Sequence, residues 1–147
     1  MAFTVTSPAF ADGQPVPREF TCDGNDGPPA MTVSNPPQGT KSFAVIMDDP
    51  DAPKGTFTHW LAYDLPTDGS ALRATAGKML KNDFGRKGYG GPCPPPGHGP
   101  HRYYFTVYAV DVPALDVPGG SRDDLEAALK DHTLAKAGFM GRYERTR

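Results

Sequence analysis

The sequence predicts a fold dominated by β-strands, most simply a sandwich. Proline and glycine number 17 each, close to the level found in disordered chains, yet aromatic residues make up 10% of the sequence. A protein built of short strands and many turns accounts for both figures. Turn pairs such as Asp12-Gly13 and Asp68-Gly69 separate the apolar runs at short intervals, as expected for a sandwich.

The strands are predicted from apolar runs. Residues 43–47 form a continuous apolar run of the kind seen in buried strands, and residues 60–65 form another. Between residues 103 and 112, apolar side chains occupy both alternating faces. A strand with two apolar faces is packed on both sides, so we expect this segment to lie centrally in a sheet.

One helix is predicted after these strands. Ser121 can cap its first turn, where Asp123 and Asp124 favour the positive end of the helix dipole. One face carries four side chains: Leu125, Ala128, Leu129 and His132. Gly138 is expected to end the helix, and residues 139–143 are expected to form a final short strand.

The overall composition limits the classes of function. We expect one domain over residues 1–147, with no repeat or linker. A net charge of -2 gives no general attraction to nucleic acid or to anionic membranes. No apolar run reaches membrane-spanning length, and the sequence shows no Lys/Arg-led apolar segment before a small-residue cleavage site, so we expect a cytoplasmic protein. In that compartment Cys22 and Cys93 are expected to be separate thiols, with a disulfide as the alternative.

Two polar segments are expected to form a pocket. Residues 48–53, Asp-Asp-Pro-Asp-Ala-Pro, follow the first apolar run, and a Gly/Pro-rich loop at residues 90–100 leads into His101-Arg102-Tyr103. Such a loop has a defined shape and can deliver polar side chains to the start of a strand. The candidate set is Asp49, Asp51, His59, His101 and Tyr103. Two histidines, a tyrosine hydroxyl and loop N–H groups can bind a tetrahedral oxyanion, with Asp49 orienting His59 from behind.

Each of these features also has a simpler interpretation. Residues 48–53 have the composition of an ordinary turn. His98 is expected to be a solvated loop residue and His132 a helix-face residue without a role in the site. Arg102 can bind an anion or pair with an acidic residue under the loop. Trp60 is most simply part of the core.

The two polar segments together resemble the two signatures of the phosphatidylethanolamine-binding protein family, in its short bacterial and archaeal branch. The resemblance implies a sandwich of two antiparallel sheets, a larger against a smaller, with Greek-key connections and one or two peripheral helices. It also implies a small pocket for phosphate-type anions. The implied anion-facing residues are Asp49, His59, His101 and Tyr103. Pro53 and Pro95 would shape the walls, with a cis peptide bond before Pro53.

Further residues are implied as walls or supports of this pocket. The Phe-Thr-Cys-Asp-Gly segment at residues 20–24 resembles a segment that borders the site in the bacterial branch, which adds Cys22 and Asp23. The remaining wall or support positions are Asp51, Trp60, Gly91 and Cys93. The resemblance assigns no catalytic residue, no metal and no cofactor.

The function predicted from all of this is non-enzymatic binding of phosphate-type anions or phosphorylated small molecules. An enzyme is a less favoured alternative, either with a metal held by the aspartates and histidines or with Cys93 as nucleophile. A regulatory protein that inhibits a protease or kinase pathway is the other alternative. The expected partners are a small anionic ligand such as phosphate or phosphoethanolamine, weakly contacted lipid headgroups, a second copy in a homodimer, or an unidentified protein, but not nucleic acid.

Overall fold

The described part of the chain, residues 2–146, forms seven strands and one α-helix in the computed structural model. The strands are β1 (Thr4–Thr6), β2 (Thr32–Ser34), β3 (Ser42–Asp49), β4 (Phe57–Leu65), β5 (Lys78–Met79), β6 (His101–Val110) and β7 (Thr133–Tyr143). The helix α1 spans Arg122–Lys130, and one 3₁₀ turn spans Arg18–Phe20. None of the helices in this part of the chain is long and apolar enough to cross a membrane.

The strands form two antiparallel sheets, as predicted. The larger sheet has the order β5-β4-β3-β6-β7, and the smaller sheet pairs β1 with β2. Strands β3, β4 and β5 are successive neighbours, and β6 then returns to lie beside β3. This spatial order, with the fourth strand beside the first, is a Greek key. The predicted sandwich with one peripheral helix is therefore confirmed.

The larger sheet is packed on both faces. One apolar cluster lies between the two sheets and joins β1 and β2 to alternate residues of β3, β4 and β6. A second cluster lies between the larger sheet and α1. In β6, Phe105 and Val107 belong to the first cluster while Val110 belongs to the second. Both faces of this strand are apolar because both are packed against other parts of the protein, as the sequence predicted.

The start of α1 was predicted correctly, but its end was not. Ser121 forms a capping box with Asp124, as its position predicts. The helix stops at Lys130 rather than at Gly138, because residues 133–143 pair along the edge of β6 as strand β7. A Cβ atom at Gly138 would lie 2.3 Å from the Phe105 carbonyl oxygen, so the glycine permits close approach of two strands.

Candidate functional site

A small cavity opens at one end of the larger sheet, where β3 ends and β4 and β6 begin. Antiparallel pairing brings these three strand ends together, so residues far apart in sequence share one rim. The cavity has a volume of about 180 Å³. Its lining consists of Asp49, Ala52, Pro53, Phe57, His59, Phe84, Cys93, Pro94, Pro95, His101 and Tyr103. All four residues predicted to face the anion are among them.

His59 reaches the cavity through a β-bulge. Met47 pairs with Trp60 and Asp48 with Thr58, which leaves His59 as an extra residue between two paired positions. A bulge changes the direction of the side chain it carries, and bulges are frequent beside functional sites. Here the bulge lets His59 line the cavity while Trp60 stays in the core between the sheets.

The hydrogen bonding of the His59 ring defines its chemistry. Its Nδ1 lies 2.7 Å from the Gly90 carbonyl oxygen, which can only accept, so Nδ1 carries the hydrogen. Burial lowers the pKa of His59, although the nearby Asp49 carboxylate acts in the opposite direction. The neutral ring is therefore favoured, and its Nε2 is left as a hydrogen-bond acceptor.

Asp49 pairs with His101, not with His59 as the sequence suggested. Its Oδ2 lies 2.7 Å from Nδ1 of His101, and the two residues are only 3% and 2% exposed. The other carboxylate oxygen accepts the Asp51 backbone N–H at 2.7 Å. Both oxygens are thus satisfied, and the carboxylate fixes the orientation of the His101 ring. Asp49 acts on His59 through its charge alone.

His98 is a solvated loop residue, as expected, and it also has a contact with His101 that the sequence did not predict. The residue is exposed, yet its Nδ1 lies 2.6 Å from Nε2 of His101. Asp49, His101 and His98 thereby form a continuous hydrogen-bonded chain from the buried carboxylate to the surface.

Tyr103 contributes a hydroxyl that stays protonated. It lines the cavity and is 1% exposed, and its ring packs edge-on against His59 with 5.2 Å between centroids. Burial raises the pKa of this hydroxyl above its ordinary value, and the Asp49 carboxylate raises it further. Tyr103 therefore remains able to donate a hydrogen bond at any physiological pH.

Asp51 and Arg102 form an ion pair at the rim of the cavity. The Arg102 guanidinium donates to both oxygens of Asp51, at 2.9 and 2.7 Å, and the Arg102 backbone N–H donates to the same carboxylate. These hydrogen bonds lower the pKa of Asp51 to about 2. Of the two alternatives for Arg102, pairing with an acidic residue is the one the structure has.

Cys22 and Cys93 are joined by a disulfide, so the prediction of separate thiols was wrong and its alternative is correct. Their Cα atoms are 5.4 Å apart although the two residues are 71 positions apart in sequence. The Cys22 backbone N–H donates to the Pro92 carbonyl oxygen at 3.1 Å, which shows how the fold brings the two segments together. The bond fastens the cavity wall at Cys93 to the segment at residues 21–26. It also leaves Cys93 without the free thiol that the nucleophile alternative requires.

Trp60 lies in the core, the simpler of its two interpretations, and Pro53 lies in the cavity wall. Trp60 lies beneath the site rather than in its wall, with Nε1 3.2 Å from Sδ of Met79 and the ring packed against Tyr89. Pro53 lines the cavity, as does Pro95. No peptide bond among residues 2–146 is cis, so the cis bond predicted before Pro53 was wrong. An ordinary trans turn after β3 is sufficient to present Pro53 to the cavity.

The remaining predicted positions, Gly91 and Asp23, support the site from outside its lining. The Gly91 backbone N–H donates to Asp26, and a Cβ at this position would lie 2.3 Å from the Phe20 carbonyl oxygen. Only glycine permits that approach. The Asp23 carboxylate accepts the hydroxyl of Tyr143 at 2.6 Å, which links the disulfide segment to β7.

Known proteins resemble this chain in sequence and in fold. The family model described as phosphatidylethanolamine-binding protein matches residues 6–144. The chain belongs to the phosphatidylethanolamine-binding protein family. The family assignment agrees with the fold, since the crystal structure of a homologue from Chlamydia trachomatis superposes with a TM-score of 0.88 at 37% identity, covering 98% of each chain.

Two further family members are similar along most of their length. A protein from Aquifex aeolicus, described as a UPF0098 protein, is 48% identical over 96% of this chain and 88% of its own. A protein from Mycobacterium tuberculosis, described as a lipoprotein and named LppC, is 37% identical over 96% of this chain and 72% of its own. The short bacterial and archaeal branch suggested by the sequence is thus confirmed.

Sequence reasoning about this family member missed two aromatic walls. Phe57 and Phe84 pack against the His59 ring, with centroids 4.8 and 5.3 Å away. Phe57 precedes His59 by two positions in sequence, and this spacing could have indicated that the two rings are neighbours. Phe84 arrives from a separate turn held by Asn82, whose side chain accepts the Phe84 N–H at 2.9 Å. Nothing local in the sequence distinguishes that phenylalanine from a surface residue.

Proposed function

We propose that this protein binds phosphate-type anions or phosphorylated small groups in the cavity, without acting as a catalyst. The observation that carries the proposal is the buried pair of Asp49 and His101, 2.7 Å apart on the cavity lining. The carboxylate contacts one imidazole nitrogen, Nδ1, and fixes the orientation of the ring. The other nitrogen, Nε2, lies 2.6 Å from Nδ1 of His98 in the free protein and is the one that can make a charge-assisted hydrogen bond to an oxyanion.

The size of the cavity supports a small ligand. Pockets for drug-sized molecules have volumes of about 300–1,000 Å³, whereas this cavity has about 180 Å³. A phosphate ion or the terminal phosphoryl group of a larger molecule is of suitable size, but a lipid acyl chain is not. The cavity therefore holds the anionic group of the ligand, and the rest of the ligand lies outside the cavity.

The surroundings of His101 favour an anion over water. Phe57, Phe84 and the prolines give the cavity a largely apolar lining, and hydrogen bonds are electrostatically stronger where the local dielectric is low. Tyr103 adds a hydroxyl that stays protonated. The neutral His59 adds an acceptor, which suits a ligand that keeps one hydroxyl of its own, such as monoprotonated phosphate.

A cytoplasmic location, a homodimer, contact with lipid headgroups and a regulatory protein partner remain predictions from the sequence. The disulfide weighs against the first of these, because reducing systems keep most cytosolic thiols free. The proposal of anion binding does not depend on the compartment.

Calorimetric titration with inorganic phosphate tests the proposal. Wild type should bind phosphate saturably, and His101→Ala should lose at least about ten-fold in affinity, since a hydrogen bond to a charged group contributes about 1.5–3 kcal/mol. His132→Ala is a matched control because His132 also pairs with an aspartate, at 2.8 Å from Asp111, but lies outside the cavity lining. Folding of each variant is verified by its NMR spectrum. Equal affinity in wild type and His101→Ala would contradict the proposal.

A further inference from the structure

Both ring nitrogens of His101 are already occupied. Nδ1 contacts Asp49 at 2.7 Å, and Nε2 contacts Nδ1 of His98 at 2.6 Å. A ring nitrogen has either one hydrogen or one lone pair in the ring plane, so a single contact uses it fully. An anion in the cavity therefore cannot take the hydrogen bond of Nε2 while His98 holds that position.

The His98 side chain lies at the surface. It is exposed, and it lies outside the cavity lining. The flanking Gly97 and Gly99 adopt φ values of 77° and 90°, in the region that favours glycine. The backbone is nevertheless held, because the Gly97 N–H donates to the Arg145 carbonyl oxygen at 2.7 Å and the His98 N–H to that of Pro95 at 3.1 Å. Rotation of the side chain, on a fixed backbone, is enough to uncover Nε2.

We infer that His98 is a displaceable cap on the proposed anion site. In the free protein its imidazole occupies Nε2 of His101, and a bound anion takes its place. The inference rests on the proposed function and adds the residue that sets its affinity. Because only the uncapped protein binds, the measured affinity is reduced by the fraction of molecules that are uncapped.

The cap also determines which ligands bind. Hydrogen bonds with an ionised partner are about twice as strong as those between neutral groups. A doubly charged tetrahedral oxyanion can therefore displace an imidazole, whereas a neutral acceptor or water gains too little. The contact between His98 and His101 thus favours phosphate-type dianions.

A direct role for His98 as a ligand residue predicts the opposite effect of its removal. A ligand residue would lose affinity when truncated, whereas a competing group would increase affinity when it is removed. The position of His98 outside the lining favours competition, because the cavity is bordered by His101 and not by His98. The sign of the change therefore separates the two roles.

The experiment is calorimetric titration of wild type, His98→Ala and the control His132→Ala with inorganic phosphate. His98→Ala should bind about 2- to 10-fold more tightly than wild type, the range set by the loss of one internal hydrogen bond. His132→Ala should match wild type. Unchanged or weaker binding by His98→Ala would overturn the cap while leaving the proposed function standing, and absence of binding by all three proteins would overturn both.

A second measurement follows the displacement itself. Nitrogen-15 NMR of the histidine rings in wild type should show Nδ1 of His98 moving to the chemical shift of a solvated histidine as phosphate is added. Nε2 of His101 should shift over the same concentration range. Phosphate binding that shifts Nε2 of His101 while Nδ1 of His98 keeps its original shift would also overturn the cap.

Discussion

Asp49 and His101 are 52 positions apart in sequence, yet Oδ2 of the first lies 2.7 Å from Nδ1 of the second, with both side chains buried. Removing a carboxylate and an imidazole from water is costly, and a well-packed apolar pair is often at least as stable. Such a pair is therefore better explained by a function than by stability. It holds one imidazole in a fixed orientation at the edge of a cavity.

Asp49→Asn should lower the pKa of His59 further below its ordinary value. Burial is the largest effect on this pKa and lowers it, whereas the negative charge of the Asp49 carboxylate raises it. Removing that charge therefore leaves the lowering effect of burial less opposed. NMR titration of the His59 ring measures the change. Asp111→Asn, which removes the carboxylate beside His132, should leave His59 unaffected. An unchanged His59 in Asp49→Asn would show that the carboxylate does not act on it.

The free energy of unfolding should depend on pH through His59. The unfolded residue takes up a proton near its ordinary pKa of about 6.5, whereas burial delays uptake in the folded protein to a lower pH. The stabilisation that comes from keeping the His59 ring neutral is therefore fully present above about pH 6.5. It decreases as the pH falls toward the pKa of the folded protein, by at most about 1.4 kcal/mol per pH unit. Chemical denaturation of wild type and His59→Gln measures this. Parallel pH profiles for the two proteins would be the contrary result.

Arg102→Ala should raise the pKa of Asp51 from about 2 toward its ordinary value, because the hydrogen bonds from Arg102 are the main cause of its low pKa. The change in stability should be small, since the pair is partly exposed and screened by solvent. Carbon-13 NMR of the carboxyl group gives the pKa. Arg73→Ala, which breaks the exposed pair with Asp68, serves as the control. An Asp51 that titrates near 2 in both variants would refute the assignment.

Removing the disulfide should destabilise the protein. The bond closes a loop across 71 positions, and a native disulfide of this kind contributes about 2–4 kcal/mol, mainly by restricting the unfolded chain. Denaturation of the double variant Cys22→Ser and Cys93→Ser under non-reducing conditions measures the loss. A thiol reductant should shift the midpoint of wild type and leave that of the double variant in place. A double variant as stable as wild type would contradict this account.

The sequence predicts those parts of the fold that have a local origin. Short stretches of sequence predict the two apolar faces of β6 and the helix cap at Ser121, and the structure confirms both predictions. The end of α1 was misplaced because residues 134–137, Leu-Ala-Lys-Ala, locally favour a helix although they form part of β7. Pairing with β6 determines their conformation, and that is a tertiary effect.

The composition of the site was predictable, but its connections were not. The motifs identify His59, His101, Asp49 and Tyr103, whereas the partner of Asp49 depends on the distance between strand ends. The same reason applies to His98, whose contact with His101 requires the loop to fold back, and to Phe84, which arrives from another turn. Pairing of Cys22 with Cys93 likewise depends on tertiary structure, since 71 positions separate them.

The most direct test of anion binding is an NMR titration of the wild-type protein with phosphate and, separately, with phosphoethanolamine, observed at all four histidine rings. The account predicts saturable shifts at His59 and His101, which line the cavity, and at His98, which contacts His101, while His132 stays unchanged. Protein that is folded and free of bound anion, yet shows no shift at His59 and His101 with either ligand, would contradict it.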